Sequence, residues 1–162
     1  MTTVLVTGMS GTGKSSVLAE LGRRGHRVVD TDDPGWTQEV PGPEGRGTER
    51  VWCESRMSAL LAGSTEPSLY VAGCAPNQGR FYDRFDAVVL LTVSREVLLE
   101  RVAARTTNGY GKDPVERAWI LEDLATVEPL LRATATTEID TDRPLTEVAG
   151  LLEAVLTAAT PP

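Results

Sequence analysis

The sequence predicts an α/β fold: a five-stranded parallel sheet with helices on both faces. Three observations carry that expectation. Short β-branched apolar runs alternate with helix-spaced segments along the whole chain, the pattern of strands joined by crossover helices. The first run ends in a glycine-rich turn that opens a helix. The length, 162 residues, suits a single domain able to bury a core without disulfides or metals.

The elements follow in order. Residues 3–7 (Thr-Val-Leu-Val-Thr) form the first strand, bounded by Gly8, and a run of this kind suits a strand buried on both faces. A helix is expected over 14–24, with Val17, Leu18 and Leu21 on one face and Gly25 as its stop. Val28 and Val29 make a second strand that ends in Asp30-Thr31-Asp32-Asp33. Residues 34–47, with four glycines and three prolines, read as a long loop of the kind that carries function. A helix follows over 49–61, then strands over 68–72 and 86–92. Ser94 suits the N-cap of a helix reaching Arg105. Residues 106–112 form a polar loop. Asp113 and Pro114 sit as N-cap and first helical residue of a helix to about 132. A fifth strand over 137–140 and a last amphipathic helix over 145–158 complete the pattern, with Pro161-Pro162 as a frayed tail.

Composition excludes several function classes. The formal net charge is −7, against a general nucleic-acid binder, which needs a basic face. A local pocket of Lys and Arg still suffices for a small phosphate ligand. Cys53 and Cys74 have no C-x-x-C spacing, so they read as reduced thiols of a cytoplasmic protein rather than a disulfide or zinc framework. No basic-then-apolar leader opens the sequence, and no run approaches the roughly 20 apolar residues that span a bilayer. Neither a nucleic-acid nor a membrane partner is expected.

The strongest chemical signal is Gly8-Met9-Ser10-Gly11-Thr12-Gly13-Lys14-Ser15. It fits G-x-x-x-x-G-K-[ST] between an expected strand and an expected helix, the context that a phosphate-binding P-loop requires. Glycines let backbone N–H groups curl around phosphate oxygens, and the helix N-terminus, here reaching Ser16, favours the anion. Lys14 reaches the β- and γ-phosphates, and the Ser15 hydroxyl is a Mg²⁺ ligand. ATP and Mg²⁺ are therefore the expected cofactors.

The second signal is Asp30-Thr31-Asp32 at the carboxyl end of the second strand, where open α/β sheets bind ligands. Carboxylates there can support a metal or accept a proton from an attacking hydroxyl. Asp33 suits a turn cap before Pro34.

Together, the P-loop, the helix after it and the Val29-Asp30-Thr31-Asp32 stretch resemble shikimate kinase and the nucleoside-monophosphate-kinase group. Glu128-Pro129-Leu130-Leu131-Arg132, Ala135, Ile139-Asp140-Thr141 and Arg143 resemble the same group's last part, while the middle third matches poorly. The resemblance implies a single-domain P-loop NTPase fold with strand order 2-3-1-4-5. It implies a short lid at about 105–117 and an acceptor-binding region at about 33–62. It implies that Asp30 assists the Mg²⁺ shell, that Asp32 contacts the acceptor hydroxyl as positioner or base, and that Arg143 lies beside the adenine. Arg101, Arg105 and Lys112 fall where such kinases carry lid cations, with Arg105 first among them.

The departures bear on substrate. Where shikimate kinases hold the substrate carboxylate with arginines, this chain has Cys53 and Val127. Shikimate is therefore not the expected acceptor, although Arg46, Arg50 and Arg56 could serve an anion. Gly73, after the third strand, fits a close approach to substrate, and Asn77 and Gln78 are either acceptor contacts or turn formers. Trp36 and Trp52 could stack on a ring, with a core role open for Trp52. Trp119 is expected in the core, Phe81, Tyr82 and Phe85 beneath the strand connection, and His26 in a structural role. The functional expectation is an ATP-dependent small-molecule kinase of unfixed oligomeric state. Nucleoside or nucleoside-monophosphate kinases, antibiotic-modifying phosphotransferases, and a nucleotide-binding regulator or NTPase are the alternatives.

Overall fold

The computed structural model describes residues 2–42, 47–63, 67–106 and 109–159. Among the described residues, seven strands and six α-helices follow one another as β1 (Thr2–Thr7), α1 (Lys14–Arg23), β2 (Arg27–Asp30), β3 (Thr37–Pro41), β4 (Thr48–Trp52), α2 (Glu54–Ala62), β5 (Ser68–Ala72), β6 (Ala87–Thr92), α3 (Arg95–Ala104), α4 (Pro114–Thr126), α5 (Glu128–Thr134), β7 (Thr137–Asp140) and α6 (Leu145–Ala159). The main sheet is parallel, in the order β2-β5-β1-β6-β7. Numbered within that sheet alone, this is the expected 2-3-1-4-5.

Central β1 is buried on both faces, and alternate residues feed opposite layers. Val4 and Val6 pack with Leu18 and Leu21 of α1 and Val148 and Leu152 of α6. Leu5 packs with Met57 and Leu60 of α2 and with Phe81 and Phe85. A third cluster joins Leu90 to Leu98 and Val102 of α3, Ile120 of α4 and Leu131 of α5. Each fully buried Leu or Val contributes about 1.5–3 kcal/mol, so three clusters around one sheet fix the strand ends in place. Phe81, within a 3-10 helix, Gln78–Arg84, and Phe85, which caps that helix, are buried in the β5–β6 connection.

Two stretches differ from expectation. Residues 34–52 are not a loop running into a helix: β3 and β4 pair as an antiparallel ribbon, with Thr37 opposite Trp52 and Val40 opposite Glu49. Only Val51 and Trp52 of this ribbon are buried, and helical spacing first takes hold at α2. Residues 43–46 lie outside the described residues, Arg46 among them. The long helix to 132 is two helices that meet at Val127. Pro129 has no N–H to give and crowds the carbonyl four residues back, which ends α4. The two expected N-caps are in place: Ser94 Oγ accepts from Val97 N at 3.3 Å, and an Asp113 carboxylate oxygen accepts from Val115 N at 2.8 Å. Trp119 is 52% exposed on α4, which corrects its expected core position. His26 bridges Ser68 Oγ at 2.8 Å and Glu153 at 3.0 Å, a structural tie between β2's approach, β5 and α6. Residues 160–162, including the Pro161-Pro162 tail, are outside the described residues.

Candidate functional site

The site forms where β1 hands over to α1. Gly13, the N-cap of α1, has φ 95°, and Gly11 has φ 89°, left-handed conformations that side chains resist. Gly8 has a different constraint: a Cβ there would stand 2.6 Å from the Leu91 carbonyl oxygen. Thr12 is buried and its hydroxyl donates to Met9 O at 2.8 Å, which staples the turn. No side chain caps α1, so its first N–H groups are free to meet an anion.

Lys14 folds across this turn, donating to Gly8 O at 2.6 Å and Met9 O at 2.9 Å. Burial holds its ammonium below the ordinary lysine pKa, opposed by Cys74, Asp32 and Asp30 and reinforced by Arg105. Both carbonyls would have to release it for the ammonium to reach a phosphate.

Ser15 Oγ donates to Asp30 Oδ2 at 2.7 Å. The other oxygen of Asp30 accepts from Asp32 N at 3.0 Å. One carboxylate thus fixes both the P-loop hydroxyl and the backbone that carries Asp32. Among the described residues no group of three His, Cys, Asp or Glu could hold a metal by itself. A hydroxyl and a carboxylate oxygen at 2.7 Å are nevertheless the hard donors Mg²⁺ takes when phosphate oxygens and waters complete its shell. Ser15 and Asp30 fit that ion.

The opposite wall comes from α3 and the segments after it. Arg105 donates to Ser10 Oγ at 3.1 Å and to the Tyr110 carbonyl, while its Nε is buried with no partner. An orphaned guanidinium donor costs free energy until an acceptor arrives. Arg101 holds Thr141 by both its hydroxyl, at 2.8 Å, and its carbonyl, at 2.6 Å. Arg143 is paired with Glu147 at 2.9 Å. Lys112 and Arg117 are exposed.

A cavity of about 750 Å³ gathers these groups, a size that suits a small-molecule site. It is lined by the turn from Gly8 to Ser16, with Asp32, Arg101, Arg105 and Arg143. Cys74 and Asp123 line it too. Asp123 escaped sequence reasoning altogether, because an acid on a helix surface carries no local signal of what it faces. Thr141 and Tyr110 were also missed as supports of the two arginines.

The remaining candidates do not line the cavity. Trp52 is fully buried, with its ring 5.9 Å from that of Phe81, so it offers no face to a ligand and the ring-stacking expectation is corrected. Its Nε1 donates to Thr31 Oγ1 at 3.0 Å. Asn77 is spent on the Trp52 backbone, accepting from its N at 2.9 Å and donating to its O at 3.1 Å. Gln78 is buried, bonded to Thr7, Ala75 and Tyr82. Both are structural, not acceptor contacts. At Gly73 the close approach is to the protein itself: a Cβ would meet Thr31 Oγ1 at 1.8 Å. Arg56 stacks over Trp36 at 4.1 Å, away from the cavity walls, and Arg50 is exposed on the ribbon.

A parallel sheet in this order, with a P-loop at the end of its central strand, defines a nucleotide-binding domain with the fold of P-loop small-molecule kinases. The chain belongs to the AAA_18 family of P-loop domains, described as an AAA domain, which matches residues 4–122. Among solved structures it is similar to a shikimate kinase from Acinetobacter baumannii in complex with shikimate, at 20% identity and TM-score 0.64, covering 98% of this chain and 94% of that one. A gluconokinase from Sinorhizobium meliloti 1021 is similar at 22% identity and TM-score 0.57, covering 97% and 92%. A shikimate kinase from Bacteroides thetaiotaomicron is similar at 14% identity and TM-score 0.61, covering 96% and 98%. No curated protein sequence matches significantly. No helix among the described residues is long and apolar enough to cross a membrane.

Proposed function

We propose that this protein is an ATP- and Mg²⁺-dependent phosphotransferase that phosphorylates a hydroxyl of a small molecule other than shikimate. One observation carries the reading. A single cavity holds a P-loop lysine, an Asp32 carboxylate that makes no hydrogen bond among the described residues, and an arginine whose buried Nε lacks an acceptor among them. A phosphate site alone needs the first of these; phosphoryl transfer uses all three.

In this reading the turn from Gly8 to Ser16 cradles the triphosphate, and Arg101 and Arg143 flank the base. Lys14 leaves the Gly8 and Met9 carbonyls for the γ-phosphate. Ser15 and Asp30 would hold Mg²⁺, which would supply neutralisation of the triphosphate's charge. Asp32 accepts the proton of the acceptor hydroxyl. The hydroxyl oxygen forms its bond to the γ-phosphorus as the bond to the β,γ-bridging oxygen breaks, and that electron pair leaves with ADP. Arg105 places its free Nε–H on the transferring group. The segment 105–117, of which 107 and 108 lie outside the described residues, would act as a lid that excludes water, which would otherwise consume ATP. The region 33–62 is taken as the acceptor side, with Trp36 and Arg56 stacked on each other outside the cavity lining.

Among the described residues, the cavity has no arginine for the shikimate carboxylate beyond Arg101, Arg105 and Arg143 of the nucleotide side. Val127 packs against the α3–α5 core, and Arg56 is committed to Trp36. ATP turnover measured alone and then against a metabolite library tests the proposal. Stimulation by one acceptor, with a phosphorylated product by mass, supports it. Slow hydrolysis unchanged across the library points instead to an NTPase or nucleotide-binding regulator.

A further inference from the structure

The cavity is lined by charges of both signs. Its cations belong to the nucleotide end: Lys14 lies on the P-loop carbonyls, Arg105 on Ser10 and Tyr110, Arg101 on Thr141, and Arg143 on Glu147. The same cavity is lined by Asp32 from the loop after β2, Cys74 from the loop after β5, and Asp123 from α4. Cys74 lines the cavity together with the two carboxylates, and Lys14, Asp123 and Asp32 all act on its thiol. Neither carboxylate makes a side-chain hydrogen bond or ion pair with another described residue. Asp123 is half-buried, and burial with Glu122 beside it raises its pKa. A carboxylate kept from water without a partner is short of a cation.

Lys14 acts on Asp32 and Cys74 across the cavity, but among the described residues no cation is bonded to Asp123. Val127, one helical turn beyond Asp123, is packed against the core, Arg56 lies on Trp36, and Arg50 is exposed on the ribbon. An anionic acceptor would enter against two like charges, whereas an ammonium would meet both favourably.

We propose that the acceptor is an amino alcohol in the broad sense, an amino sugar or related hydroxylated amine, whose protonated amine is bound by Asp123 while Asp32 takes the reacting hydroxyl. The proposal rests on the kinase reading and narrows its substrate. The chemistry is consistent within itself. A protonated amine has no lone pair to attack phosphorus, so a carboxylate that keeps it charged also directs transfer to oxygen. The acceptor O–P bond forms, the bond to the bridging oxygen of ATP breaks, the hydroxyl proton passes to Asp32, ADP departs, and the ammonium keeps its protons throughout.

The test uses one scaffold in three charge states: glucosamine, glucose and gluconate. Calorimetric binding to the protein loaded with Mg²⁺ and a non-hydrolysable ATP analogue is read beside ATP-dependent phosphorylation followed by mass. Binding is expected to favour glucosamine over glucose by at least about tenfold, the usual worth of a charge-assisted hydrogen bond, with gluconate weakest. Asp123→Asn should bring glucosamine and glucose to within about twofold, and Asp123→Lys should move the preference to gluconate; the ATP analogue should bind both variants as it binds wild type. Equal binding of all three, preference for gluconate in the wild type, no binding of any, or an amine preference that survives both substitutions overturns the proposal. If glucosamine binds through Asp123 but no probe is phosphorylated, the amine site stands and the kinase reading falls.

Discussion

Arg101 of α3 holds Thr141, 40 residues further on, by its hydroxyl and its carbonyl together, and the same hydroxyl donates to the Thr12 carbonyl at 2.9 Å. Three segments meet in that one side chain: the P-loop, α3 and the loop after β7. The sequence suggested a cation aimed at phosphate; the structure shows a guanidinium already bonded to protein. Arg101→Ala should therefore act by loosening the nucleotide end. Affinity for ATP should fall about tenfold, the worth of roughly one charged hydrogen bond, with acceptor KM little changed. A comparable rise in acceptor KM would place Arg101 elsewhere in the site.

Gly73 and Thr31 give a second prediction, on stability. Gly73→Ala puts a Cβ 1.8 Å from Thr31 Oγ1 and 3.4 Å from the Trp52 ring. The Thr31 hydroxyl must swing away and release Trp52 Nε1, which is buried. A cost of about 1–3 kcal/mol is expected, as for overpacking generally, read as a lower urea midpoint. Thr31→Ala alone should also destabilise, by leaving the indole N–H unpaired. The double variant should cost less than the sum of the two, since one clash and one hydrogen bond are shared. Strict additivity would show that the contact is not shared.

How much of this was legible beforehand follows from how local each cause is. The P-loop is written in eight consecutive residues, and its conformation is forced by glycines at 8, 11 and 13, so the sequence sufficed. Asp30 and Asp32 were legible because they terminate a strand of the parallel sheet. The ribbon was missed because Pro and Gly in 34–47 outweigh its few β-branched residues. Trp52 looked helical by spacing although it ends β4. Asp123 and Thr141 depend on how α4 and the loop after β7 fold back on the P-loop. That packing is set by the burial of Ile120, Leu131 and Ile139 against elements distant in sequence, and no local pattern encodes it.

Asp32→Asn keeps the shape of the residue and removes its basicity. Asp30, not Asp32, is bonded to the Ser15 hydroxyl, so ATP binding should remain within about threefold of wild type while turnover falls by about 10²–10⁴, the usual contribution of a general base. Rapid-quench measurement of the transfer step, with calorimetry of ATP in parallel, separates the two. A large loss of ATP affinity would move Asp32 to the metal shell and leave the base unassigned.

Lys14 carries the last prediction, and its sign follows from burial. Its pKa in the folded protein lies below the ordinary 10.5, with desolvation the largest cause. Below both values lysine is charged in the folded and unfolded chains, and the folded state bears the desolvation cost. As pH rises from the depressed value toward 10.5, the unfolded chain holds more protons than the folded one, so the ligand-free protein should gain stability across that window. Nucleotide binding should change in the opposite sense. A triphosphate needs the charged ammonium, so ATP affinity should fall as pH climbs through the depressed pKa, and binding at alkaline pH should be accompanied by proton uptake. Lys14→Ala should abolish turnover, weaken ATP binding and flatten both pH dependences. Calorimetry in buffers of different ionisation enthalpy counts the protons. ATP affinity independent of pH up to 10, or near-normal turnover in the alanine variant, would remove Lys14 from the transferred phosphate.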